Sequence, residues 1–250
     1  MAEALKVDSL CKNFGALQVV RDLSFSMTVE ERRVVIIGPN GAGKTTFFNL
    51  ISGELPPSEG TIHLYGRDVT RMPCYRRTRL GLARTFQITD LFPYFTLMEN
   101  LLLALQAHDP CAYQMLRPLR TYRHLYEKAE KLLVEMKLWE KKDFVITSLS
   151  HGEMRLVELM MGIAGGPRIL LLDEPTAGLT RSEGVWLANM IQNLLKDMTL
   201  LIIEHDMQIA FALAERIVVL HQGAIVADGK PEEIRTNPRI KEIYLGTTYD

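Results

Sequence analysis

The residues best equipped for chemistry lie in Gly38-Pro39-Asn40-Gly41-Ala42-Gly43-Lys44-Thr45-Thr46, a G-x-x-x-x-G-K-[ST] pattern. Glycines at these spacings let successive backbone N–H groups converge on one anion. Lys44 adds a point charge suited to β- and γ-phosphates, and the Thr45 hydroxyl is placed to ligate magnesium. A second chemical feature is Asp173-Glu174, two adjacent carboxylates that follow the apolar run Ile169-Leu170-Leu171-Leu172 and precede Pro175. Asp173 can hold magnesium, directly or through its waters, and Glu174 can orient and polarise an attacking water.

Both features need rigid supports. Arg33-Val34-Val35-Ile36-Ile37 reads as a buried strand, and the run from Phe47 to Ile51 reads as a helix whose positive end adds to the anion attraction. A carboxylate at the C-terminal end of a parallel strand sits beside the nucleotide at the mouth of the sheet. Together these contexts predict a nucleoside triphosphate site. Residues 5–10 and 23–29 alternate like half-buried strands, and 61–65 reads as a short strand after a turn-rich connection. Residues 97–107, 122–137 and 152–162 carry apolar side chains near a helical period, with no convincing strand among them. A helical block inserted between strand-rich portions suggests a subdomain grown from one edge of the sheet. Beyond it come a helix at 182–196, a strand at 199–203, a helix at 207–214 and a hairpin around His221-Gln222-Gly223.

The 250 residues suggest one or two domains, and a formal net charge of −1 argues against wholesale nucleic-acid binding. Cys11, Cys74 and Cys111 match no zinc or redox spacing and are expected as reduced thiols in a cytoplasmic protein. The first nine residues lack a secretory pattern, and the apolar clusters fall short of the ~20 residues that a spanning helix requires. A soluble protein is expected, with any membrane role exercised through a partner. Six arginines (Arg67, Arg71, Arg76, Arg77, Arg79 and Arg84) crowd residues 67–84. They read as a solvated helix face, or alternatively as a basic shoulder toward a membrane-embedded partner or anionic lipid heads.

With these residues in place, the chain resembles the nucleotide-binding subunit of ATP-binding cassette transporters over essentially its whole length. Gln87 is similar to the family's glutamine loop, which ligates magnesium and senses the membrane subunit. Leu149-Ser150-His151-Gly152-Glu153 resembles the signature loop. Asp173 and Glu174 match the magnesium acid and the catalytic glutamate, and Ala177-Gly178-Leu179-Thr180 occupies the place of the D-loop. His205 matches the switch histidine, and Phe14 matches the aromatic residue on which adenine stacks. The resemblance implies an α/β fold: a P-loop NTPase core with a mixed sheet and helices on both faces, an antiparallel β subdomain and an inserted α-helical subdomain. The expected division is a core of 1–87 plus 164–250 and a helical signature subdomain of 88–163.

The resemblance further implies ATP and Mg2+ as cofactors. A second ATPase subunit, identical or paralogous, would pair head to tail, so that Ser150 and Gly152 cap ATP bound to the opposite copy. Lys44, Gln87, Glu174 and His205 would carry hydrolysis, and Thr45, Gln87 and Asp173 the metal. Permease subunits in the membrane, an extracytoplasmic solute-binding protein, and a peripheral place on the cytoplasmic side complete the expected assembly. Arg84-Thr85-Phe86-Gln87, Thr96-Leu97-Met98-Glu99-Asn100 and Ile203-Glu204-His205-Asp206-Met207 resemble the ATPases of branched-chain amino acid importers. Leu-Ser-His-Gly is also similar to the urea-importing branch. His151, Glu153 and Thr180 depart from the usual signature glycine, signature glutamine and D-loop aspartate. A soluble ATP-dependent nucleic-acid clamp is disfavoured by the short chain and balanced charge. An ATP-holding switch without hydrolysis is disfavoured by Glu174 and His205.

Overall fold

The computed structural model describes residues 3–85, 91–114, 116–196 and 198–246. In chain order the elements are β1 (Glu3–Phe14), β2 (Leu17–Thr28), β3 (Arg33–Ile37), α1 (Lys44–Ser52), β4 (Glu59–Leu64), β5 (Arg67–Asp68), α2 (Cys74–Arg79) and β6 (Leu82–Thr85). There follow α3 (Leu97–Ala107), α4 (Arg123–Glu135), α5 (His151–Ile163), β7 (Ile169–Asp173), α6 (Arg181–Leu194), β8 (Thr199–Ile203) and α7 (Met207–Leu213). The remainder is β9 (Arg216–His221), β10 (Ala224–Gly229), α8 (Pro231–Thr236) and α9 (Pro238–Gly246). Two compact units emerge. The first comprises Met1–Arg84, Arg168–Pro175 and Asp197–Asp250, and the second Thr85–Pro167 with Thr176–Lys196.

The first unit carries two sheets. One is six-stranded and mixed, in the order β10-β9-β3-β8-β7-β6, and the other is four-stranded in the order β2-β1-β4-β5. β3 runs parallel to both β8 and β9, β7 runs parallel to β8, and β10 returns antiparallel along β9. The apolar runs of the parallel strands are buried throughout: Val34 to Ile37, Ile169 to Leu172, Leu200 to Ile203 and Ile217 to Leu220. Continuous rather than alternating hydrophobicity is what a strand covered on both faces requires. Phe25 of β2 meets Phe47 of α1 edge-on at 6.0 Å, joining the antiparallel sheet to the helix.

The arginine-rich stretch is the expected solvated face at four of its six arginines and departs from it at Arg77 and Arg84. Residues 82–85 form a strand, and Arg77 is fully buried. Its guanidinium donates to the Leu50 and Ile51 carbonyls, both at 2.7 Å, to Met72 O at 2.8 Å and to Thr70 O at 3.2 Å. The last carbonyls of a helix have no partner of their own, and a buried cation at that end satisfies them and the dipole together. Burial lowers the Arg77 pKa to about 10, which leaves it charged at neutral pH. Arg67, Arg71, Arg76 and Arg79 do lie exposed.

In the second unit α3 packs on α4 and α5, and α5 packs on α6. Leu97, Leu101, Leu105, Leu125, Ala129, Leu133, Leu156 and Met160 are buried, following the helical spacing of the sequence. Three of these helices begin with reciprocal capping: Thr96 with Glu99 on α3, Ser150 with Glu153 on α5, and Thr180 with Glu183 on α6. Each pair satisfies two backbone N–H groups that the helix cannot.

Candidate active site

The turn between β3 and α1 is built by the sequence that suggested it. Gly43 caps α1 with φ +95°, and a Cβ there would meet the Val19 carbonyl at 2.9 Å, so only glycine fits. The loop is tied on both sides, by Ala42 N–H to Pro39 O at 3.2 Å and by Gly223 N–H to Ala42 O at 3.1 Å. Gly41 also has positive φ, and Pro39, Asn40 and Thr46 complete the turn into the helix. Lys44 is buried, with Nζ donating to Gly38 O at 2.7 Å and Pro39 O at 3.1 Å. Burial lowers the Lys44 pKa below its ordinary value, against the pull of Glu174 and Asp173. An ammonium held on its own loop carbonyls, facing two carboxylates, is a cation ready to turn to phosphate oxygens.

β7 delivers the acids. Asp173 is buried, and its Oδ2 accepts from Arg84 Nη2 at 2.7 Å. Arg84 also reaches Asn49 Oδ1 at 2.6 Å and Glu54 Oε2 at 3.1 Å, so one guanidinium ties β6 and α1 to the acid. Burial nevertheless pushes the Asp173 carboxyl above its ordinary range, outweighing Arg84. Its Oδ1 is buried with no hydrogen-bond partner among the described residues. An orphaned carboxylate oxygen fits a hard divalent cation or its water, and the Thr45 hydroxyl, exposed at the start of α1, is of the oxygen type such a cation takes. No group of three or more His, Cys, Asp and Glu forms a cation cage among the described residues. A cation held by these two oxygens would draw its remaining ligands from phosphate and water.

Glu174 follows with φ +48°, a left-handed backbone at a residue that is not glycine. Such a conformation costs ~1–3 kcal/mol and persists only where the surroundings enforce it. Here the N–H of Glu174 donates to Ile203 O at 3.0 Å, while four buried side chains of β7 contribute about 6–12 kcal/mol of burial. The anchor exceeds the strain. His205, just past β8, brings Nδ1 to 3.8 Å from Glu174 Oε2 and 4.0 Å from Glu204 Oε2. Asp206 then caps α7 through Gln208 N–H at 2.8 Å and Ile209 N–H at 3.2 Å, fixing the chain that carries the histidine.

The first unit thus holds the 38–46 loop, Asp173, Glu174, His205 and Phe14 among the expected residues. Phe14 closes the β1–β2 hairpin opposite Leu17, half-exposed, with Lys12 Nζ 5.2 Å from its ring centre. Ser150 and Gly152 belong to the second unit, and Gln87 lies outside the described residues. Ser150 Oγ accepts Glu153 N–H at 3.3 Å, and Gly152 approaches Trp186 of α6. Glu153 is also held by Lys141 at 2.5 Å, so its carboxylate already has two partners. Burial opposes the charge, but the bonds from Lys141 and Ser150 win and hold the Glu153 carboxyl below its ordinary value. Sequence reasoning missed the contributions of Arg84 and Glu204. Arg84 stood in the basic stretch and in Arg84-Thr85-Phe86-Gln87, neither of which points to a partner 89 residues away. An ionisable residue, Glu204, directly after the apolar run Leu200 to Ile203 was a readable signal of a buried polar group with a role.

The ABC transporter family model matches residues 20–177. BraF of Pseudomonas aeruginosa, a high-affinity branched-chain amino acid transport ATP-binding protein, is 40% identical over 97% of this chain and 97% of its own. LptB of Acidithiobacillus ferridurans, a lipopolysaccharide export system ATP-binding protein, is 34% identical over 100% of this chain and 99% of its own. Among solved structures, the ADP conformation of MJ1267, an ATP-binding cassette of an ABC transporter, aligns with TM-score 0.87 and 30% identity, covering 98% of this chain and 100% of that one.

Proposed function

Because the chain belongs to the ABC transporter family, as an ATP-binding and ATP-hydrolysing subunit, we propose that it powers uptake of branched-chain amino acids through a membrane permease. The observation that carries this cargo is the 40% identity with BraF over 97% of both chains. In this reading the chain works on the cytoplasmic face of the membrane, beside permease subunits fed by an extracytoplasmic solute-binding protein. No helix among the described residues is long and apolar enough to cross a membrane, so coupling would run through contact with those subunits. Phe92, Tyr94, Phe95, Phe144 and Val145 of the second unit are exposed, and a bridge between Thr96 and Val145 holds the two segments together. This apolar patch is where a short cytoplasmic helix of a permease would dock. Residues 86–90, which precede this patch in the chain, lie outside the described residues.

For the chemistry, we assign the 38–46 loop and Lys44 to the phosphates and Phe14 to adenine, and Thr45, Asp173 and Gln87 to magnesium. When bound, magnesium neutralises phosphate charge and holds the transferred group in line. Glu174 takes a proton from the attacking water, and His205 beside it contacts the γ-phosphate. Ser150 and Gly152 cap the nucleotide of a second cassette, identical or paralogous, and ATP between the copies drives closure.

The test is uptake in cells whose chromosomal copy carries Glu174→Gln. Loss of leucine uptake with intact expression is the expected result. Retained leucine uptake with loss of urea uptake would favour a second reading, suggested by Leu149-Ser150-His151-Gly152. If neither changed, the importer assignment would be wrong.

A further inference from the structure

Glu204 is fully buried, and nothing in the catalytic assignment above uses it. Its N–H donates to Ile36 O at 3.2 Å, so the chain remains paired to β3 one residue past the end of β8. Its Oε2 accepts the His205 N–H at 3.2 Å and lies 4.0 Å from His205 Nδ1. Glu174 Oε2 lies 3.8 Å from the same nitrogen. One edge of the imidazole therefore faces two carboxylates, one sealed in the sheet and one at the reacting end of β7. The His205 side chain itself is 54% exposed and would otherwise turn freely. A carboxylate is costly to bury, and an apolar residue would serve the sheet better. Its placement has a use if the side chain fixes its neighbour. A carboxyl group that accepts the His205 N–H fixes the backbone from which the ring extends, and its place 4.0 Å from Nδ1 limits the orientations open to the imidazole.

We propose that Glu204 is a positioning residue, acting on hydrolysis through the backbone and ring of His205. The inference rests on the assignment of His205 to the γ-phosphate. It is tested on the purified full chain, measuring ATP hydrolysis for wild type, Glu204→Gln, Glu204→Ala, His205→Ala and the double variant. Thermal midpoint and affinity for a fluorescent ATP analogue are recorded alongside. Glu204→Gln keeps the size and an acceptor but can no longer ionise. It should lower kcat about 10-fold with KM for ATP nearly unchanged, and Glu204→Ala by up to about 100-fold, the scale of other orienting partners. In the His205→Ala background Glu204→Ala should cost nothing further. A full independent loss in that background would overturn the proposal, as would wild-type kcat in Glu204→Ala. Loss of nucleotide affinity in Glu204→Gln would also overturn it, because that is a structural role. Wild-type hydrolysis by His205→Ala would remove the assignment of His205 and this inference with it.

Discussion

Glu174 combines a strained backbone with a carboxylate beside an imidazole, and the two facts bear on one role. The left-handed backbone at the end of β7 carries a carboxylate that lies beside His205 and is felt by Lys44 of the phosphate loop. If it removes a proton from water, Glu174→Gln should retain ATP and lose ~10²–10⁴ in hydrolysis, the scale of a positioned general base. Phosphate release and filter binding on the same preparation check it, and near-wild-type turnover would remove the assignment. Lys44 presents a different balance, because its ammonium is held by two loop carbonyls while the backbone amides remain. Lys44→Ala should therefore abolish turnover and weaken ATP more than ADP, since its charge is aimed at the terminal phosphates. Equal weakening of ATP and ADP in equilibrium titrations would mean that the lysine serves only the inner phosphates.

At the scale of elements, two departures from the family pattern fall at helix ends, where each residue has a structural use. Glu153 in place of the signature glutamine and Thr180 in place of the D-loop aspartate each complete a capping box. The S/T-x-x-E spacing was readable in the sequence, where it was overshadowed by the motif it interrupts. The Glu153 carboxyl has a folded pKa below its ordinary 4.5. Its stabilisation of α5 is therefore complete above about pH 4.5, the unfolded value, and is lost as pH falls through the folded value. Glu153→Gln keeps an acceptor without titrating. Its thermal midpoint should consequently drop less than that of wild type between pH 6 and about pH 3.5, and parallel curves by circular dichroism would refute the linkage. Arg77 marks the other end of the scale. Arg77→Met leaves buried carbonyls of α1 unpaired and should cost about 3 kcal/mol, which corresponds to roughly 6–12 °C in midpoint for a chain of this size. Arg76→Ala, on the exposed side of the same helix, should stay within about 0.5 kcal/mol. If the two variants melted alike, Arg77 would not be a helix clasp.

For the whole molecule, the division of site residues between two units has a consequence. The first unit holds the phosphate loop, Asp173, Glu174 and His205, whereas Ser150 and Gly152 belong to the second. If the signature loop caps a nucleotide on another copy, the chain should be monomeric without ATP. It should then associate when ATP is added to Glu174→Gln, because a ligand held between two chains stabilises the pair by mass action. Ser150→Arg in that background should still bind ATP but fail to associate in sedimentation. It also loses the cap of α5, so Ser150→Ala serves as the control: it should weaken the helix yet permit association. A Ser150→Arg protein that dimerised and hydrolysed ATP normally would exclude action across an interface.

The sequence by itself determined the parts whose signal is local. The 38–46 loop, the strand that ends in Asp173-Glu174, the helix over Leu97–Ala107 and the hairpin around Gly223 follow from φ requirements and hydrophobic period, which act over a few residues. Tertiary structure decided what depends on partners distant in the chain. Among arginines of like sequence surroundings, it buried Arg77 against the end of α1, turned Arg84 to Asp173 and left Arg76 in solvent. It likewise turned Glu153 to Lys141 and buried Glu204 past the end of β8, where its N–H meets Ile36 O. A charge carries no periodicity, so its environment is fixed only when the sheet and helices have placed its counter-charge or its carbonyls within reach.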